Sequence, residues 1–189
     1  MTKRVIISGV IGGIVFFMWG FVSWAVASWH NDTIVSHAGI TAVIDDAEAH
    51  LPGTGVYYFP PMPDDHEDQA AMDAWEQAHR EGPIGMLFWR PDGMEPIAPS
   101  TLAKGLLLDV AMAMIAAVLL CLALPSLPSY GVRVCYVAGI GVLAAMATRF
   151  TDAIFMAFPG RYTMGQAIDG IVGWVLVGLV LAMIVKPRH

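Results

Sequence analysis

The sequence predicts an all-α membrane protein: a bundle of four transmembrane helices with a small α+β extracytoplasmic cap between helices 1 and 2. Three observations predict it. Of 189 residues, 57% are apolar and only 14% charged, against about 25% charged in soluble domains. The mean hydropathy is +0.62, more apolar surface than a soluble fold of this size can hide. The apolar residues gather in four runs close to the roughly 20 residues that cross a hydrocarbon core, whereas 13 of the 16 acidic residues lie between positions 30 and 100.

The first run, Val5 to Trp29, is uncharged. Lys3 and Arg4 before it, and Ala25-Val26-Ala27 near its end, imitate a cleaved leader. The run is longer than the roughly 7–15 apolar residues of a leader, so residues 1–29 are expected to be an uncleaved anchor. Residues 101–189 hold the other three spans, at about 102–124, 132–150 and 166–185. Lys104 and Asp109 interrupt the second, and Pro125 to Ser129 make a tight turn after it.

Residues 30–100 are patterned as a folded cap. Ile40, Val43, Ile44, Ala47 and Leu51 recur at helical spacing, and Pro52-Gly53 ends that helix. Val56 to Phe59 reads as a strand. Asp65 or Asp68 can cap a second helix, with Met72, Trp75 and His79 on its inner face and Gly82 at its end. Ile84 to Trp89 reads as a second strand and Met94 to Ile97 as a short third. So small a unit is expected to rest on the outer span ends, with Trp24, Trp29, Trp89 and Tyr162 near the headgroups.

Orientation follows from Lys and Arg near the span ends. Lys3, Arg4, Arg133, Lys186 and Arg188 flank segments free of acid. With an even number of spans, both termini read as cytoplasmic and residues 30–100 as periplasmic, in a bacterial inner membrane. Arg149 and Arg161 fall on the outer side against this trend.

The candidate site is a set of ionisable groups at similar depth: Asp109, Arg149, Asp152 and Asp169, joined by His30 where the first span leaves the membrane. Charges within spans are costly and usually pair inside a bundle, so Arg149 is the expected partner of Asp109 and Asp169. The functional reading is a pocket for a proton, ion or small polar ligand; the plainer one is an ion pair that sets helix register, with His30 an interfacial anchor. His37, His50, His66 and His79 lie in the cap without a zinc-protease or EF-hand spacing, so no metal site is expected. Cys121 and Cys135 read as buried structural thiols.

No nucleotide loop, nucleophile elbow or haem-attachment motif occurs, no catalytic residue stands out, and no cofactor is implied. The net charge of −6 argues against nucleic acid, which wants clustered Lys and Arg. Gly9, Gly13, Gly139, Gly170, Gly173 and Gly178 suit close helix approach, within this chain or against another subunit.

Gly12-Gly13-Ile14-Val15 running into Trp19-Gly20, Trp29-His30-Asn31, Gly55 to Phe59, Arg90 to Met94 and Pro159 to Thr163 together resemble an uncharacterised bacterial family of small four-span inner-membrane proteins. The resemblance implies four spans and an outer cap, and no activity. The leading expectation is a non-enzymatic accessory protein whose partners are the bilayer and other membrane subunits, or itself. A carrier or sensor using the Asp/Arg pocket is the alternative, and a lipid- or quinone-handling enzyme the third.

Overall fold

In hydrocarbon each backbone polar group must be satisfied within the protein, which favours long uninterrupted helices. The computed structural model describes residues 2–187, so Arg188 lies outside the described residues. Four helical runs are long and apolar enough to cross a membrane: Lys3–Val26, Pro99–Ser126, Tyr130–Phe155 and Gly160–Ile184. The chain divides into two compact units. The first comprises Met1–Ile34, Pro96–Phe150 and Gly160–His189; the second comprises Val35–Glu95 and Thr151–Pro159.

In the first unit, helix α1 (Thr2–Phe21) continues into a π-helical turn (Val22–Val26) and, after extended Ala27, a 3-10 turn (Ser28–Asp32). In the second unit the chain forms α2 (Ile40–His50), strand β1 (Gly55–Phe59), α3 (Gln69–Glu81) and strand β2 (Gly85–Trp89). It returns to the first unit as α4 (Pro99–Ala123) and α5 (Tyr130–Ala145), the latter running through a π-helical turn (Met146–Phe150) into α6 (Thr151–Phe155) of the second unit. Helix α7 (Gly160–Ile184) completes the first unit.

Helix α1 packs between α4 and α7, and α7 between α1 and α5. Leu120, Val137, Val177 and Leu181 are fully buried at the core. Glycine lets the backbones approach: a Cβ on Gly13 would lie 2.6 Å from Val110 N, and one on Gly9 2.8 Å from Met114 Cα. Ser8, also fully buried, donates to Val5 O at 3.0 Å. Leu107, Leu122, Leu143 and Met183 point outward and are about two-thirds exposed, the exterior a helical membrane protein presents to lipid.

Buried Arg133 ties two segments together at one end of this unit. Its Nε donates to Ala182 O and its Nη1 to Leu127 O and Pro128 O, each at 3.4 Å. Those carbonyls lie at the end of α7 and in the turn before α5. Tyr130 adds a hydrogen bond from its hydroxyl to Leu179 O at 3.0 Å.

In the second unit β1 and β2 pair antiparallel, with Val56 opposite Phe88 and Tyr58 opposite Met86. Asp68 Oδ1 accepts from the amides of Ala70 and Ala71 and caps α3. Trp75 Nε1 donates to Pro60 O at 3.2 Å, and Tyr58 Oη lies 2.9 Å from His79 Nε2, so the inner face of α3 is the expected one. Gly82, at φ 74°, ends the helix in a conformation suited to glycine.

Several expectations need correction. Met94–Ile97 is no strand, and the sheet has two strands; Pro96 removes a ladder donor from so short a run. The third long run reaches Phe155 instead of 150. The fourth begins at Gly160 instead of Gln166, directly after Pro159, a residue tolerated where helices start. Apolarity marks the stretch suited to hydrocarbon and overlooks polar turns that prolong the same helix. On α2, the apolar residues Ile40, Val43 and Ile44 are exposed.

Candidate functional site

The structure collects buried polar groups where α1 ends against α7. Ser23 is fully buried and His30 is 4% exposed, and Ser23 Oγ lies 2.9 Å from His30 Nε2. Seven residues along an unbroken α-helix would put them about 10 Å apart along the axis. The π-helical turn, followed by extended Ala27 (φ −81°, ψ 135°), folds the chain back and closes that gap. π-Helical turns recur at functional sites.

Helix α7 receives this turn through a stripe with four-residue spacing: Gly165, Asp169 and Gly173. A Cβ on Gly165 would lie 2.6 Å from Thr33 Cγ2, and Thr33 Oγ1 donates to His30 O at 2.8 Å. At Gly173, a Cβ would lie 3.0 Å from Trp19 Cδ1, and Trp19 Nε1 donates to Asp169 O at 3.0 Å. The glycines thus make room for the two segments that flank the carboxylate. Asp169 Oδ2 comes to 3.8 Å from His30 Nε2, with the aspartate side chain 14% exposed.

Aromatic rings enclose the imidazole. Trp24 stacks on it at 3.9 Å and 5°, Trp29 meets it edge-on at 6.1 Å, and Trp29 Nε1 donates to Ser23 Oγ at 3.1 Å. Among the described residues, three buried polar atoms lack a hydrogen-bond partner: His30 Nδ1, Asp169 Oδ1 and, six residues earlier on α7, Thr163 Oγ1. Buried polar groups are nearly always paired, and leaving one unpaired costs about 1–3 kcal/mol.

Ser23, His30 and Asp169 share the residue types of a hydrolase triad but not its geometry. A triad needs the acid on one imidazole nitrogen and the serine on the other. Here both face Nε2, and Nδ1 has neither. Ser23, fully buried and accepting from Trp29, is not displayed to a substrate. The arrangement suits holding a proton, since His30 and Asp169 attract electrostatically only when the imidazole is protonated.

Of the predicted site residues, the structure brings together His30 and Asp169 alone. Arg149 is exposed on the π-helical turn after α5 and forms no ion pair with Asp109 or Asp169 among the described residues. Asp109 is half-buried on α4, ten residues into the helix, with no hydrogen bond or ion pair among the described residues. Asp152 belongs to the second unit. Asp169 lies nine residues into α7, about 14 Å at 1.5 Å per residue, deeper than one turn, because the helix starts earlier than its apolar stretch. Ser23 and Thr163 were not legible as site residues, although the Gly165–Asp169–Gly173 spacing was a usable signal.

Among the described residues no three His, Cys, Asp or Glu side chains converge as metal ligands. The second unit has an apolar cleft of about 210 Å³ lined by residues such as Ile84, Met86 and Phe158. The cysteines are not both buried as expected: Cys121 is half-buried, whereas Cys135 is exposed on α5.

Four packed helices of this length and apolarity define the class, a multi-pass membrane protein with a helical bundle. No protein-family model, curated protein or solved structure matches the chain.

Proposed function

We propose that this is a non-enzymatic protein of the bacterial inner membrane that binds a proton, or a small polar ligand carrying one, at the His30–Asp169 site, and acts as a sensor or carrier. The observation that carries this reading is the buried imidazole 3.8 Å from a largely enclosed carboxylate, with the buried atoms Nδ1 and Oδ1 both unpartnered among the described residues. Histidine is the side chain suited to taking up and releasing a proton near neutral pH, and the carboxylate stands within reach of its Nε2. Both termini are cytoplasmic in this reading and residues 30–100 periplasmic. Arg4 and Lys186 line one cleft, in keeping with basic residues gathered on the cytoplasmic side.

Trp24, stacked on His30, supplies the readout. Tryptophan fluorescence of the full chain in nanodiscs is expected to follow a one-proton transition, lost in His30→Gln. A fluorescence profile flat from pH 4 to 9, or a transition that survives His30→Gln, refutes the proposal.

A second reading, a subunit or assembly partner of a larger complex, draws on the second unit. Its two-stranded sheet carries Val56 and Phe88 side by side, 58% and 64% exposed. Apolar pairs on an exposed sheet suit a protein partner. Cross-linking from position 56 in native membranes is the test: products with lipid alone count against this role.

A further inference from the structure

At the other end of the first unit lies a cleft of about 630 Å³ whose lining combines apolar residues with two cations. Val5, Cys121 and Leu124, half-buried, and Val185, buried, form the apolar floor of this lining, while Arg4 and Lys186, both exposed, also line the cleft. Pro128 also lines it, and the Pro128 carbonyl is held by the buried cation Arg133. Arg133 is 7% exposed and its hydrogen bonds go to three carbonyls. Among the described residues it has no carboxylate partner.

The charge around this cleft is not balanced from within. The acids of the first unit are Asp32, Asp109 and Asp169. Asp32 and Asp169 belong with the His30 end, and Asp109 lies fourteen residues before the C-terminal end of α4. Helix dipoles do not settle the sign either. Helices α1 and α5 start at this end and α4 and α7 finish there, so two positive ends oppose two negative ones. The side chains decide, and they are cationic.

From this we infer that the cleft binds the headgroup of an anionic phospholipid, with the phosphate held by Arg4 and Lys186 and an acyl chain along the apolar floor. Three observations single out lipid as the occupant. The helices that build the cleft are of membrane-spanning length and apolarity. The cations in the lining are exposed and the apolar residues Val5, Cys121, Leu124 and Val185 are half-buried or buried, which matches a molecule charged at one end and apolar beyond. Basic clefts between spans at a membrane face are known headgroup sites. This inference is independent of the His30–Asp169 reading, and either can fail alone.

The test is native mass spectrometry of the full chain in mild detergent, titrated with phosphatidylglycerol or with phosphatidylcholine of the same acyl chains. The wild type is expected to retain phosphatidylglycerol preferentially. Two cations near a membrane surface together contribute about 30-fold in affinity, so Arg4→Gln/Lys186→Gln should weaken that lipid about 30-fold and leave phosphatidylcholine unchanged. Both positions are exposed, so the variant should fold; Lys3→Gln is the matched control and should bind as the wild type does. Equal binding of both lipids, or undiminished phosphatidylglycerol binding by the double variant, overturns the inference. So does inorganic phosphate that displaces the lipid at equal concentration, which would make this a free-anion site.

Discussion

Replacing Gly13 with alanine separates two uses of the small residues in these helices. The new Cβ would meet Val110 N at 2.6 Å and the Val110 side chain at 2.7 Å, where carbon contacts prefer about 3.5–4.0 Å. Val110 N belongs to the α4 backbone, so no rotamer change clears it, and α1 and α4 must part by about 1 Å. Overpacking costs about 1–3 kcal/mol, while alanine recovers up to about 1 kcal/mol of helix propensity over glycine. The expected net loss is about 0–2 kcal/mol, near the low end if α4 can slide, and about 1–3 kcal/mol relative to a Gly→Ala change at a site with free space. Gly139 is the control: it is exposed on α5 and nothing would lie within 4 Å of its Cβ, so Gly139→Ala should be neutral or slightly stabilising. Reversible unfolding of the isolated protein in mixed detergent micelles measures both. If Gly13→Ala is as stable as Gly139→Ala, then Gly13 does not serve the α1–α4 contact and the packing argument is wrong. A glycine reserved for a missing partner would leave the isolated chain indifferent, so the experiment also bears on the accessory role.

Three further outcomes are expected. Asp68→Ala removes the acceptor of two amides at 3.0 and 3.1 Å and costs about 1 kcal/mol at the N-terminus of α3; hydrogen exchange of the first-turn amides should quicken about fivefold. Arg133→Met leaves three carbonyls without this donor and should destabilise the protein by about 1–3 kcal/mol in the same micelle assay. Glu76→Gln breaks an exposed i,i+4 pair with Arg80 and should change stability by less than about 0.5 kcal/mol, a result that calibrates the other two.

Sequence and structure each determined a definable share. Four long apolar runs were legible because hydrocarbon imposes a length and a composition that few other environments share. The local signals of the second unit were legible for the same kind of reason: Asp68 as a cap, Gly82 as a stop and the Met72–Trp75–His79 face are chemistry between near neighbours. Pro96 could have warned against a third strand, and Pro159 of an earlier start to α7. The site was read only in part. His30 and Asp169 were both candidates, but the sequence paired Asp169 with Arg149, since opposite charge was the one long-range rule on offer. Only the tertiary structure could put Ser23 against His30, because that contact depends on a π-helical turn without a proline or glycine inside it, and could put Asp169 beside them, because that depends on which face of α7 meets α1. Facing and reversal are set by packing between segments over a hundred residues apart, which a linear pattern of apolarity does not encode.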